Sequence, residues 1–227
     1  EKATHAVSNP DTGLYHAQAI RWIENFKVVP GLGTLHTRFA YNSSWLTTNA
    51  LFSFAFLDLR SFHLLSSALF FVFQVYLIQG VFSLLKGDLR LSNILRTLMV
   101  PISFYVIATQ ISSPGTDMPS ALLVWFVILE WVAQVDNGKK QTVLQLTLLS
   151  IIAFFAVTVK LSTLPLLLVA VFLSIRSIIA REWKPVVGVA MLGIFIFTPW
   201  MIRNVILSGY LIYPFSSLDL FNFDWKI

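Results

Sequence analysis

The sequence contains no cysteine, which excludes disulfides and cysteine-ligated metals and leaves the redox compartment undecided. Charge is scarce too: Asp, Glu, Lys and Arg make up 12% of the 227 residues, about half the share usual in a soluble domain. So few charges cannot coat the core of a chain that is 56% hydrophobic, with 20 Phe and a mean hydropathy of +0.75. A multi-spanning membrane protein is therefore expected. No Walker loop, Gly-x-Ser-x-Gly elbow or dinucleotide fingerprint occurs, and no internal repeat or low-complexity tract stands out. The chain opens at Glu1 without Met or a signal peptide and stops at Ile227 after an aromatic-rich segment. It reads as an internal fragment, with a membrane helix expected before Glu1 and further chain after Ile227.

What charge there is has a pattern. The net charge of +5 comes from basic residues in short loops between apolar runs, an orientation signal of membrane proteins and not a nucleic-acid surface. Residues 1–60 form a polar outer loop, 61–207 a membrane domain, and 208–227 an outer segment expected to lead into further chain. Within the first loop, apolar Leu14, Tyr15, Ala19, Ile20, Trp22, Ile23 and Phe26 recur at helical spacing, with Gln18, Arg21 and Asn25 opposite. This run of 12–27 is too short and too polar to span, so it is expected to lie on the membrane or roof the protein. Asp11 stands where an N-cap belongs, and Pro30-Gly31-Leu32-Gly33 ends the helix. Ser43 or Ser44 is placed to cap a second short helix over Trp45–Leu57, read as re-entrant or interfacial.

Six spans are predicted after this loop, at about 62–85, 94–111, 118–135, 142–159, 161–179 and 185–207. The expected fold is thus all-α and polytopic, with two short juxtamembrane helices and about six transmembrane helices. Loops on one side hold Lys86, Arg90, Arg96, Lys139, Lys140, Arg176, Arg181 and Lys184, against Lys160 in the short loops of the other. Eight against one places residues 1–60, Asp117, Lys160 and the segment after Arg203 on the outer, periplasmic side of an inner membrane.

Polar chemistry concentrates on that face. Asp117, in Thr116-Asp117-Met118-Pro119, starts a helix, so it reads either as a cap favoured by the helix dipole or as a functional acid. Asp11 carries the same two readings. Lys160, in a turn between two short apolar helices, costs desolvation unless it snorkels to the interface or meets an anion. Arg203 follows Pro199-Trp200 near the end of the last span and has the shape to take a phosphate. Its alternative is an interfacial arginine beside an anchoring Trp. His16, His36 and His63 match no zinc spacing. Asn42-Ser43-Ser44 fits the glycosylation sequon, Arg21 and Arg38 read as membrane-surface residues, and Glu130 reads as reaching the inner interface without a functional role.

The order of these pieces resembles the GT-C superfamily of membrane glycosyltransferases, including its protein mannosyltransferase-like and aminoarabinose transferase-like groups. The resemblance runs over nearly the whole chain and rests on Asp11 in a long first loop and on Thr116-Asp117-Met118-Pro119. It continues through Lys160, Pro199-Trp200-Met201-Ile202-Arg203-Asn204, Gly209-Tyr210 and Tyr213-Pro214. It is nearest to bacterial multi-pass proteins with a similar Asp-Thr-Gly-Leu-Tyr-His opening. Many GT-C members show paired acids where Asp11 stands alone.

The resemblance implies a polyprenyl-phosphate-linked sugar donor reached from the lipid, and a glycan, lipid or protein acceptor from the outer aqueous side. It implies Asp11 as general base, Asp117 as a second acid, Lys160 and Arg203 on the phosphate, and Tyr15 and His16 as further substrate contacts. No metal ligands are assigned, and a divalent ion is the one cofactor the resemblance admits. Two other readings are an O-antigen polymerase or ligase-like protein, and a transporter or non-catalytic scaffold. A transporter calls for polar groups at mid-membrane, whereas these lie at one face; a scaffold calls for dispersed, solvated ions.

Overall fold

The structure, a computed structural model, describes residues 6–7, 9–58, 64–107, 110–138, 142–215 and 217–227. Among them the regular structure is all helical, with no strand. A π-turn at Thr12–His16 leads into α1 (Ala17–Phe26), and α2 spans Ser44–Leu51. There follow α3 (Leu65–Leu85), α4 (Leu91–Ile107), α5 (Asp117–Asp136), α6 (Val143–Val159), α7 (Leu168–Ile179) and α8 (Trp183–Ser208). A 3₁₀ stretch at Leu161–Leu167, containing Pro165, runs directly into α7.

Each of the six predicted spans falls on a helix, but four stretches are long and apolar enough to cross a membrane. They are α3, α5, the joined stretch Leu161–Ile179, and α8. With 17 residues each, α4 and α6 are shorter than the about 20 residues a crossing takes. The environment of α8 identifies the solvent: only 11% of its apolar window is buried inside the protein. So much bare hydrocarbon is stable against lipid and not against water. The protein is a membrane protein on this ground.

Local chemistry sets the ends of these helices. Ser43 caps α2 by accepting a hydrogen bond from the Trp45 amide at 3.2 Å. The helix expected to reach Leu57 stops at Leu51. There Ser53 Oγ donates to the Ala50 carbonyl at 2.7 Å and accepts from the Ala55 amide. These bonds offer the backbone an alternative to helix, and Phe54 turns left-handed. At the other end of the bundle, Thr142 and Gln145 form a capping box on α6. Asp136 of α5 caps α4 by accepting from Ser92 N and Oγ at 2.9 and 3.0 Å.

Neighbouring helices share the core. Phe70, Phe73 and Leu77 of α3 meet Met118, Leu122 and Leu129 of α5. Ala153 and Ala156 of α6 let α5 and the start of α7 approach closely. Where α3 crosses α4, a Cβ at Gly80 would lie 2.5 Å from Arg96 Cβ, so only glycine fits. Above this bundle α1 lies on α2, burying Ile20 against Leu46 and Ala50. Gln18, Arg21 and Asn25 face outward, the roof arrangement expected of the amphipathic run.

A polar cluster lies within the bundle. Arg96 of α4 meets Glu130 of α5 at 3.2 Å and the Tyr76 hydroxyl of α3 at 3.0 Å, and its guanidinium lies 4.3 Å from the Tyr76 ring centre. Glu130 therefore joins three helices and does not simply reach outward to an interface. Exposed ion pairs contribute about 0–1 kcal/mol, whereas breaking a buried one costs about 3–5 kcal/mol. For this partly buried pair, Glu130→Ala is expected to destabilise by about 2 kcal/mol. Tyr76→Phe is expected to cost about 1 kcal/mol. Unfolding of detergent-solubilised protein measures both, and equal stability of Glu130→Ala and wild type would remove the cluster from the fold's support.

Candidate functional site

The roof, the starts and ends of three helices and the segment after α8 enclose a cavity of about 510 Å³. Asp11 and Tyr15 come from the roof, and Arg38, Tyr41, Asn42 and Ser43 from the irregular stretch between α1 and α2. Thr116 and Asp117 come from the start of α5, Lys160 from the end of α6, Trp200 from α8, and Tyr213 and Pro214 from the last segment. The volume lies within the about 300–1,000 Å³ typical of small-molecule sites.

Asp11 does not cap its helix. Its carboxylate makes no capping bond; instead Asn9 Oδ1 accepts from the Asp11 amide at 2.9 Å. The freed carboxylate accepts from Arg38 Nη1 at 2.7 Å. Arg38 also lies 5.0 Å from the centre of the Tyr15 ring, so it belongs to the site and not to the membrane surface. Asp117 is the first residue of α5, with Thr116 before it making no side-chain cap bond, and its carboxylate pairs with Lys160. Lys160 stands between α6 and the 3₁₀ stretch in extended conformation, its amide closing α6 on the Ala156 carbonyl at 2.9 Å. Both ion pairs are about half exposed to the cavity, so each contributes only about 0–1 kcal/mol.

Asn42 fixes the cavity wall. Its Nδ2 donates to the Trp200 carbonyl at 2.7 Å, and its own carbonyl accepts from Trp200 Nε1 at 2.7 Å. Its Oδ1 accepts from Arg203 Nε at 2.9 Å. An amide used on both sides is not an open glycan acceptor, so the sequon reading of Asn42 is corrected. Beside it, Ser43 Oγ donates to the Val159 carbonyl at 2.8 Å, joining the same stretch to the end of α6. The Trp200 and Arg203 pair thus grips a loop, with Arg203 behind Asn42 and off the cavity lining. In the same motif, Asn204 Nδ2 donates to the Leu211 carbonyl at 3.1 Å. Gly209, at φ +84°, ends α8 in the left-handed conformation that glycine adopts freely.

Four of the six residues singled out from sequence line the cavity: Asp11, Tyr15, Asp117 and Lys160. His16 sits beneath them, 4% exposed, its ring 4.1 Å from that of Tyr15 and its Nδ1 without a hydrogen-bond partner. Thr12 beside it holds the loop before α5 through a 2.7 Å bond to Ser113 Oγ. Burial lowers the His16 pKa from its ordinary value, against the pull of Asp11 and Asp117. Burial first and the Asp11 charge second raise that of Tyr15. The sequence reading missed Arg38, Tyr41, Asn42 and Tyr213 as site residues. Their one signal was an arginine and an asparagine in an irregular stretch between two roof helices, without periodicity to aim them. His36 serves locally, its Nδ1 accepting from the Arg38 amide at 3.2 Å, and His63 lies outside the described residues.

A divalent ion does not fit the donor set as it stands. Both carboxylates are already neutralised by a cation, and among the described residues no group of three His, Cys, Asp or Glu converges.

Two measurements test this geometry. Asn42→Ala leaves the Arg203 guanidinium and the Trp200 carbonyl without their partners, and is expected to cost about 2–3 kcal/mol in unfolding experiments. His16, with a lowered folded pKa, contributes stability that is full above its unfolded value of about 6.5. That contribution is lost as pH falls toward the folded value, because the unfolded chain binds the proton first. Wild-type melting temperature should therefore drop between about pH 7 and 5 more steeply than that of His16→Gln; parallel curves would refute the assignment.

No curated protein and no solved structure matches the chain. A family model described as a domain of unknown function, DUF8201, matches residues 2–227. The chain belongs to the DUF8201 family.

Proposed function

We propose that the protein is an integral membrane glycosyltransferase that moves a sugar from a polyprenyl-phosphate carrier to a glycan, lipid or protein acceptor of a bacterial envelope. One observation carries this reading. Two carboxylates and two cations, from positions 11, 38, 117 and 160, converge on one small-molecule-sized cavity at the end of an apolar bundle. A scaffold has no need to gather four ionised groups that are distant in sequence, and a transporter would hold them at mid-membrane. The excess of cations in short loops at the opposite end supports a periplasmic cavity in an inner membrane. On this reading α4 and α6 also cross. At about 1.5 Å per residue their 17 residues reach about 26 Å, and local thinning of the bilayer accommodates the mismatch.

The chemistry follows from the groups. An acceptor hydroxyl oxygen attacks the anomeric carbon, the bond from that carbon to the phosphate oxygen breaks, and the hydroxyl proton passes to the Asp11 carboxylate. The lipid phosphate leaves with one more negative charge, which Lys160 is placed to meet. Asp117, within reach of Lys160, orients the acceptor. Arg203 acts through Asn42, as a positioning residue for the wall and not as a phosphate ligand.

With polyprenyl-phosphate sugars presented in membranes, Asp11→Asn is expected to lower transfer by about 10²–10⁴-fold. Its elution and melting in detergent should stay at wild-type values. A fully active Asp11→Asn protein would remove Asp11 from the role of base.

A further inference from the structure

Every ionised side chain on the cavity lining is already engaged with another. Arg38 holds Asp11, and Lys160 holds Asp117. In this state one of the two Asp11 carboxylate oxygens accepts from Arg38, and the lysine that would meet a phosphate is engaged with Asp117. Each contact is made through a single carboxylate oxygen. Among the described residues Arg38 gives one guanidinium N–H to one carboxylate oxygen, and Lys160 meets a single oxygen of Asp117. The four side chains are 40 to 62% exposed, so water and solutes reach them. A phosphate presents several charged oxygens and engages a guanidinium through two parallel bonds. It therefore competes well for cations held end-on.

We propose that Arg38 and Lys160 form a two-cation latch that a phosphate-bearing ligand opens by ion-pair exchange, and that this exchange is what releases Asp11 and Asp117. The inference rests on reading the cavity as a sugar-phosphate site, and it adds a role for Arg38 and an order of events. The anionic donor enters first, drawing Arg38 and Lys160 onto its phosphate. Only then do the carboxylates face an acceptor hydroxyl without a competing cation. The exchange moves ionic contacts only, and the cavity changes from four balanced charges to two cations against one phosphate with two free carboxylates. Tyr15 supports Arg38 in both states, because the face of its ring holds a guanidinium whichever anion the guanidinium meets.

The test uses the full chain in phosphatidylcholine nanodiscs, with inorganic phosphate followed by its ³¹P signal. Because carboxylate and phosphate compete for the same cations, Asp11→Asn and Asp117→Asn are each expected to tighten phosphate binding, by up to about fivefold for a half-exposed pair. Arg38→Gln and Lys160→Gln are expected to weaken it, and Asp224→Asn, exposed and off the lining, to leave it unchanged. Unchanged or weaker binding in both Asp variants overturns the latch. A second readout is carbodiimide labelling of carboxylates, located by mass spectrometry. Arg38→Gln should label at Asp11 faster than wild type without any ligand; equal rates overturn the proposal. Nanodiscs containing polyprenyl phosphate distinguish the source of the anion. Equal tightening with inorganic phosphate and with the lipid places recognition in the headgroup, and greater tightening with the lipid places part of it in the polyprenyl tail. None of these readouts depends on sugar transfer, so a latch that opens in a protein without transferase activity would leave the latch standing and remove the transferase reading. Active transfer with no change in phosphate affinity would do the reverse.

Discussion

The cavity depends on one tie between a loop and two helices of the bundle, α6 and α8. Asn42 exchanges three hydrogen bonds with Trp200 and Arg203 of α8, and Ser43 adds one to the end of α6. These bonds hold Arg38 and Tyr41 at the cavity, and Leu32 and Ala40 of the same stretch are buried beside them. Backbone carbonyls near the ends of apolar helices are strong unsatisfied acceptors, since the last turn has no partner for them within the helix. The loop supplies such donors to Val159, the last residue of α6, through Ser43 Oγ and to Ile206 through the Gly31 amide, and in doing so it becomes a wall. The C-terminal segment does the same from the other side, where the Ile227 amide reaches the Ser208 carbonyl.

The membrane imposes the division of labour. Lipid leaves the helix sides free to be apolar all round, as α8 is, and forces polar groups either to the ends or into paired clusters. The protein uses both outlets. Toward the end of the bundle opposite the roof it permits a three-helix cluster of Arg96, Glu130 and Tyr76, with Gln134 alongside Glu130. At the roofed end it gathers half-exposed ion pairs that ligands can reach. The two sites differ in burial: the inner cluster joins three helices, and the outer pairs stand about half exposed.

The electrostatics of the roofed end form one system. The charges of Asp11 and Asp117 act on both Tyr15 and His16, yet burial outweighs them at His16 and favours the neutral imidazole. A neutral histidine under the ion pairs adds no charge to the cavity above it. The lining therefore stays balanced between Arg38 and Lys160 on one hand and Asp11 and Asp117 on the other.

Composition alone decided the solvent of this protein, because 12% charge cannot cover so apolar a chain in water. Periodicity decided α1, since its one apolar stripe admits one orientation, and apolar runs decided where each later helix lies. Helix length was less legible: Ser53 stops α2 through bonds that hydrophobic pattern does not encode. Residue type and an outer-face position were enough to single out Asp11, Asp117 and Lys160. Tertiary structure alone decided their partners. Whether Asp11 caps a helix or meets Arg38, and whether Arg203 faces a ligand or grips Asn42, depends on contacts across 27 and 161 residues. Local sequence carries no periodicity for such contacts, because a loop's path is set by the helix ends that it must satisfy.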